Sequence, residues 1–348
     1  RNMIQFKETR EGDCSMPIAI VVHGGAGTIT ADRFASAQAG CQEAALIGWH
    51  ILQAGGSALD AVEATIRALE DNPSYNAGTG SCLTATGTIE MDAGLMVGGT
   101  LQVGAVASVE RIKNPISLAR HVLESPHVLL VGRGATRFAI DQGIALCQEQ
   151  ELQTARQYQN WVQLREEELA MVGQGEPTFH RREVGSIAAR EHDTEETPHF
   201  HVPPSLENGK QPDDKHGTVG AVALDEAGNL VAGTSTGGIP YKLPGRVGDS
   251  PLVGCGFYAD ENAAISCTGN GEDFTRLLIA KRAADNAAHG MSARDAAEAT
   301  IALLSAKAAG TGGLIIIDRS GNVGFSWNSQ HMAYAYLMQD MTEPISGV

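Results

Sequence analysis

Dense apolar runs alternate along this chain with stretches of helical periodicity, and polar turns punctuate both. Residues 17–23 are almost continuously apolar and predict a buried strand, followed by a glycine turn over residues 24–27. Residues 31–54 carry a helical stripe that stops at Gly55-Gly56. Ser57 with Asp60 resembles a capping box and starts a second helix running to about Glu70. Asn114-Pro115 reads as N-cap and first helical residue of a helix ending near Glu124. Strands are predicted at residues 101–109 and 127–131.

The pattern decays over residues 148–214. Residues 148–171 read as a charged surface helix, and residues 173–214 mix Pro, Gly, Glu and His without periodicity. A loop that long inside a compact domain is unusual, and such loops are functional or disordered. Regularity then returns abruptly, with strands predicted at residues 219–225, 229–234, 263–268, 314–318 and 323–327. Hairpin turns fall at residues 225–229 and 318–322. A helix over residues 272–289 closes at Gly290, and Ser292 with Asp295 caps another through about Ala306. Strands, two helices, then strands suggest antiparallel sheets covered by helices, an α+β fold.

The junction between the long loop and the returning pattern is Lys215-His216-Gly217-Thr218-Val219. A cut before Thr218 would leave the strand intact and give the chain a threonine N-terminus. Such a residue carries nucleophile and base together, its hydroxyl attacking while its α-amine, with a reference pKa of about 8, accepts the proton. Gly217 would tolerate the strained backbone and close approach that self-cleavage requires.

Composition narrows the partners. The chain has 348 residues, 43% of them hydrophobic, and a formal net charge of -16. So acidic a chain favours neither nucleic acid nor an anionic membrane as partner. No apolar run is long enough to span a bilayer, and the N-terminal residues lack a signal-peptide layout. The six cysteines form no CxxC pair or metal-ligand spacing, and reduced thiols in a cytoplasmic protein are the expectation. His192, His199 and His201 fit no zinc pattern. Residues 1–16 are expected to be an extension or expression remnant outside the core.

Several ordered blocks carry a family resemblance. They are HGGAGTI (residues 23–29), NAGTGS (76–81), MDAGLMVG (91–98), HGTVGAVALD (216–225), TSTGG (234–238), LPGRVGDSPLVG (243–254) and CTGNGE (267–272). Together they resemble the plant-type asparaginases and isoaspartyl peptidases, which are N-terminal-nucleophile hydrolases. The resemblance implies a four-layer αββα sandwich and autocatalytic cleavage between Gly217 and Thr218. It divides the chain into an α-part, residues 17–217 with a disordered linker over about 173–217, and a β-part, residues 218–348. Both parts would build one folded domain, and two cleaved units would assemble as an (αβ)2 dimer. The implied activity is hydrolysis of the L-asparagine side-chain amide and of β-aspartyl peptide bonds, with no cofactor required.

Residue by residue, the resemblance makes Thr218 the nucleophile and Thr236 the second threonine touching it. Thr268 and Gly269 become the oxyanion-stabilising pair. Arg246 and Asp249 would hold the substrate's α-carboxylate and α-ammonium, a guanidinium fork and a carboxylate suiting those two charges. Gly238, Gly271, Thr268 and Asn76 complete the substrate-binding set. The segment containing Leu69, Glu70, Asn72, Tyr75, Ala77 and Thr79 resembles a loop that wraps a structural sodium ion in main-chain carbonyls, oxygen ligands that suit a hard cation.

Three other readings compete. Gly233-Thr234-Ser235-Thr236-Gly237 fits the GxSxG of serine esterases, and His23-Gly24-Gly25 resembles their oxyanion motif. That motif needs a helix directly after the serine, and Pro240 and Pro244-Gly245 forbid one. Glycosylasparaginases share the family but typically carry aspartate where this chain has Gly217. An uncleaved pseudoenzyme is the third, and the full catalytic set argues against it.

Overall fold

The computed structural model describes residues 16–172 and 217–348. The expected extension over residues 1–15, the linker over residues 173–216 and its histidines lie outside them.

One eight-stranded sheet organises the chain. Its strands are β1 (Ala19–Gly27), β2 (Met91–Val97), β3 (Gln102–Val109), β4 (Leu129–Val131), β5 (Val219–Leu224), β6 (Leu230–Thr236), β11 (His331–Met338) and β12 (Ile345–Gly347). They run in the order β12-β11-β1-β5-β6-β2-β3-β4, antiparallel except for the β3–β4 pair. A four-stranded antiparallel sheet is built from β7 (Phe257–Ala259), β8 (Ala263–Gly269), β9 (Gly312–Asp318) and β10 (Val323–Trp327), ordered β10-β9-β8-β7.

Side chains alternate across a strand, and here both faces are buried, so the apolar runs are nearly continuous. Ile20 and Val22 of β1 and Val219, Ala221 and Ala223 of β5 pack with helices α1 (Phe34–Gln53), α2 (Ala58–Asp71) and α3 (Pro115–Leu123). Their neighbours Ala19, Val21, Val222 and Leu224 turn the other way, onto Phe257, Ala264, Ile315 and Ile317 of the small sheet. The small sheet's opposite face, with Ile265, Leu314 and Ile316, is covered by Ile279, Ala283, Ala297 and Ile301. Those last residues lie on α8 (Ile279–Ala288) and α9 (Ala293–Lys307). The mixed α+β class is as expected.

Local signals explain the helix starts. The Ser57 hydroxyl accepts the Asp60 N–H at 3.1 Å, and Ser292 does the same for Asp295 at 3.1 Å. Three expectations need correction. The glycines at 24–27 do not form a turn: β1 continues through them to Gly27, with a bulge between His23 and Ala26 against β11. Glycine serves close approach there, since a Cβ on Gly24 would lie 2.4 Å from the Tyr75 ring.

The helix over 272–289 is two, α7 (Gly271–Leu277) and α8, broken at Leu278 with φ 51°. The break lets the first N–H groups of α8 bond to Gly254 and Cys255 carbonyls. The surface helix over 148–171 is likewise split into α5 (Glu149–Leu152) and α6 (Ala155–Val172). Strands β2, β7, β11 and β12 and helix α4 (Gly132–Asp141) were not anticipated.

Phe257 is fully buried between the sheets and would meet any side chain on Gly94. Phe257→Ala should destabilise the fold by about 3–5 kcal/mol through lost burial and a cavity, read as a lower denaturation midpoint.

Candidate active site

Thr218 stands one residue before β5, in the middle of the large sheet, at the rim of a cleft. Thr236, Gly238, Ile239, Arg246, Gly248, Asp249, Ser250, Gly269 and Gly271 share that cleft's lining. The structure thus gathers Thr218, Thr236, Gly238, Arg246, Asp249, Gly269 and Gly271 of the sequence-expected set from four separate segments.

The Thr218 hydroxyl donates to Thr236 Oγ1 at 3.0 Å, and the Gly238 N–H donates to the same oxygen at 3.0 Å. Thr236 is the last residue of β6 and is paired with Asp92, so its position is fixed by the ladder. Gly217 lies against Asn76, whose N–H donates to the Gly217 carbonyl at 3.2 Å. A Cβ on Gly217 would fall 2.4 Å from Asn76 Cβ, so only glycine fits.

Asn76 is engaged by the protein at both ends of its side chain. Its side-chain oxygen accepts the Cys82 N–H at 2.8 Å, and its amide donates to the Gly238 carbonyl at 2.7 Å. Its main-chain carbonyl accepts the Gly237 N–H. With both side-chain ends engaged by the protein, Asn76 holds the junction to the turn after β6.

Thr268 is the next-to-last residue of β8, directly before Gly269, and is fully buried, its hydroxyl oxygen accepting the Ala26 N–H at 3.1 Å. That acceptance leaves the hydroxyl proton available to donate elsewhere. Gly269 has φ 155°, and a Cβ there would lie 2.6 Å from the Phe274 ring, so glycine is required.

Arg246 holds a carboxylate already. Its Nε and Nη2 donate to Glu272 Oε1 and Oε2 at 2.9 and 2.8 Å, a bidentate pair that keeps the guanidinium charged. Glu272 ends the CTGNGE block, and no local signal in the sequence marks it as the partner of Arg246. Asp249 is buried, with one carboxylate oxygen lacking any partner. Burial pushes its carboxyl up to about 7, against the pull of Arg246 and with Glu272 and Asp92 adding to the rise.

Behind Thr218 lies His23, fully buried, its Nε2 bonded to Ser266 Oγ at 2.9 Å. Burial lowers its pKa to about 3, so the ring is neutral, and a weak contact with the Thr218 backbone only partly opposes that.

Ser235 faces away from all of this. Alternation along β6 sends Thr234 and Thr236 to one side and Ser235 to the other. The Ser235 hydroxyl donates to the buried Glu70 carboxylate at 2.6 Å. No helix follows it directly. The esterase geometry is therefore not formed.

The loop beyond α2 was expected to wrap a sodium ion. The carbonyls of Leu69, Glu70 and Asn72 each accept one backbone N–H from within it. Among the described residues, the carbonyls of Tyr75, Ala77 and Thr79 accept none. Each carbonyl has two lone pairs, so all six oxygens retain acceptor capacity, and an all-oxygen set suits a hard cation. Arg33 and Arg156 donate to the neighbouring carbonyls of Ser74 and Pro73. No cluster of His, Cys, Asp and Glu able to hold a metal occurs among the described residues, and no helix there is long and apolar enough to cross a membrane.

Comparison with known proteins finds relatives over nearly the whole chain. A family model described as asparaginase matches residues 16–345. The chain is 45% identical over 334 residues to a plant-type L-asparaginase of Pyrococcus abyssi, covering 95% of this chain and 100% of that one. It is 40% identical over 333 residues to an isoaspartyl peptidase/L-asparaginase of Rattus norvegicus, covering 94% and 88% of the two. An isoaspartyl peptidase of Salmonella typhimurium is 41% identical over 326 residues, covering 91% and 94%.

Removing the Ser235 hydroxyl leaves the cleft untouched but takes a donor from a buried carboxyl. Ser235→Ala should therefore keep substantial activity while losing about 1–3 kcal/mol of stability. Activity assays and melting curves on the same sample check both halves.

Proposed function

The chain belongs to the asparaginase family, and from that premise we propose that it is a self-processing threonine hydrolase of L-asparagine and β-aspartyl peptides. The observation that carries the reading is the Thr218–Thr236 hydroxyl pair at 3.0 Å, sharing a cleft with Arg246 and Asp249.

Maturation starts with addition of Thr218 Oγ1 to the Gly217 carbonyl carbon. The Asn76 N–H already bonded to that carbonyl would stabilise the charge developing on its oxygen. Collapse breaks the peptide C–N bond, the hydroxyl proton passing to the departing Thr218 nitrogen, and leaves an ester. Water then hydrolyses the ester, giving a Gly217 carboxylate and a Thr218 amine. Glycine at 217 favours this reading over a glycosylasparaginase-like one.

In turnover Thr218 Oγ1 adds to the side-chain carbonyl of the substrate and its proton passes to the α-amine. Thr236 orients the hydroxyl. Thr268 and Gly269 are proposed to stabilise the oxyanion, where one lost donor typically costs about 100- to 1000-fold in rate. The proton then leaves with ammonia or the released amine, and water hydrolyses the β-aspartyl ester to regenerate the threonine. Arg246 and Asp249 grip the α-carboxylate and α-ammonium, with Gly238 and Gly271 giving the head group room. No cofactor is needed for these steps. The six carbonyls of Leu69, Glu70, Asn72, Tyr75, Ala77 and Thr79 would hold a structural sodium ion. The burial pattern supports a four-layer αββα sandwich in which both cleaved parts stay in one domain. Assembly as (αβ)2, with residues 1–16 outside the core and a disordered linker before the junction, belongs to the same proposal, as does a cytoplasmic location.

Three substrates test it. β-Asp-Leu should be hydrolysed with higher kcat/KM than L-asparagine, because everything past the scissile bond faces outward. α-linked Asp-Leu should be inert, since misplacing the reacting carbonyl can cost about 100-fold or more. Comparable turnover of the α-linked peptide would remove the head-group anchor.

The pH dependence follows from Asp249. Its carboxyl, raised to about 7 by burial, must be ionised to hold an ammonium group. The apparent KM should therefore rise as pH falls through about 7, with kcat less affected. Asp249→Asn should raise KM and flatten that dependence in initial-rate profiles.

A further inference from the structure

Arg246 sits in a loop that its own packing does not hold. Leu243, Pro244 and Gly245 are all exposed, and Gly245 has φ 81°. Among the described residues, the one hydrogen bond joining residues 243–245 to the body of the protein runs from the Gly245 N–H to Glu90 Oε2, at 2.7 Å. Glu90 also takes the loop's other end, its main-chain carbonyl accepting the Lys242 ammonium at 2.7 Å. Lys242 is buried, its own carbonyl accepts the Ala85 N–H at 2.8 Å, and Tyr241 donates its N–H to Leu83 at 2.9 Å.

Glu90 is in turn fixed by a strained element. The β2–β3 register shifts between Met91 and Ala93, whose partners are Val109 and Val106, so β3 carries one extra residue. Ser108 lies in that bulge at φ 51°, a conformation costly for a non-glycine residue. The bulge brings its N–H to Asp92 Oδ1 at 2.7 Å and its hydroxyl to Glu90 Oε2 at 2.7 Å. One carboxylate oxygen thus receives both the strained serine and the residue directly before Arg246.

We propose that Glu90 is a positioning residue for recognition of the substrate α-carboxylate, acting by clamping residues 242–245 so that Arg246 is presented to the cleft already ordered. The assignment rests on the head-group reading of Arg246. Glu272 holds the guanidinium fork, but a loop backbone with no apolar anchor would still have to be ordered by each substrate, and that ordering would be subtracted from affinity. The clamp removes the loss before binding. It also crosses the junction, since Glu90 precedes Thr218 and the loop follows it. After cleavage the clamp would be one of the contacts by which one chain shapes the other's binding site.

The test uses the full chain and two probes, β-Asp-Leu and its analogue with the aspartyl α-carboxylate converted to a carboxamide. Wild type should strongly prefer the carboxylate. Glu90→Ala should raise KM for β-Asp-Leu by about 10- to 100-fold, the scale expected of a displaced binding group, with kcat changed far less. Its preference for the carboxylate over the carboxamide should fall by the same factor. Glu90→Gln, whose amide oxygen still accepts, should give an intermediate KM. Ser108→Ala should shift KM and the preference in the same direction, and it serves if Glu90→Ala does not fold. Equal losses on both probes, or a fall in kcat alone, would overturn the proposal in favour of a merely structural role. A wild type indifferent to the α-carboxylate would instead overturn the reading of Arg246, and the clamp with it.

Discussion

Strand β5 lies between β1 and β6 and hydrogen-bonds to both, and this pairing decides where Thr218 stands. Both faces of the strand are buried, so its register is fixed: a slip of one residue would exchange the side chains meant for the helices with those meant for the small sheet. Thr218 immediately precedes the ladder and Gly217 lies outside it. The peptide bond between them can therefore break without removing any rung. Burial on two sides gives rigidity, and position at the strand's start gives access to the cleft.

The cleft concentrates charge at some expense to stability. Asp249 leaves one buried carboxylate oxygen unpaired, and Asp92, just behind, does the same. Unsatisfied buried groups of this kind destabilise a fold and recur at functional sites, where a ligand completes them. Arg246 is treated differently, since Glu272 holds its fork before any substrate arrives. Under the proposed head-group reading, an arriving α-carboxylate would meet a guanidinium already oriented and would have to share it or displace Glu272.

Much of this was readable before any coordinates. Thr218 showed itself by standing between a patternless loop and a buried strand. Arg246 and Asp249 stood out only through the LPGRVGDSPLVG block, since one cation and one anion on a short loop otherwise read as a surface ion pair. What escaped reading depended on contacts between distant segments. Asn76 could not be seen as a brace, because its partners Cys82, Gly217 and Gly238 are gathered by strand order. The break at Leu278 carries no glycine or proline to announce it, and arises from bonds to the turn at Gly254. The orientation of Ser235 was legible after all: alternation alone sets it opposite Thr234 and Thr236. Strands β7 and β12, three residues each, are too short for periodicity to identify.

The account's central claim is that the working nucleophile is a threonine freed by the chain's own cleavage. Intact mass and N-terminal sequencing of purified protein test it most directly. Scaling the 36.5 kDa chain by length gives two fragments of roughly 23 and 14 kDa, and the smaller should begin Thr-Val-Gly-Ala-Val. Fully active protein that remains one uncut chain, or a new N-terminus elsewhere, would contradict it.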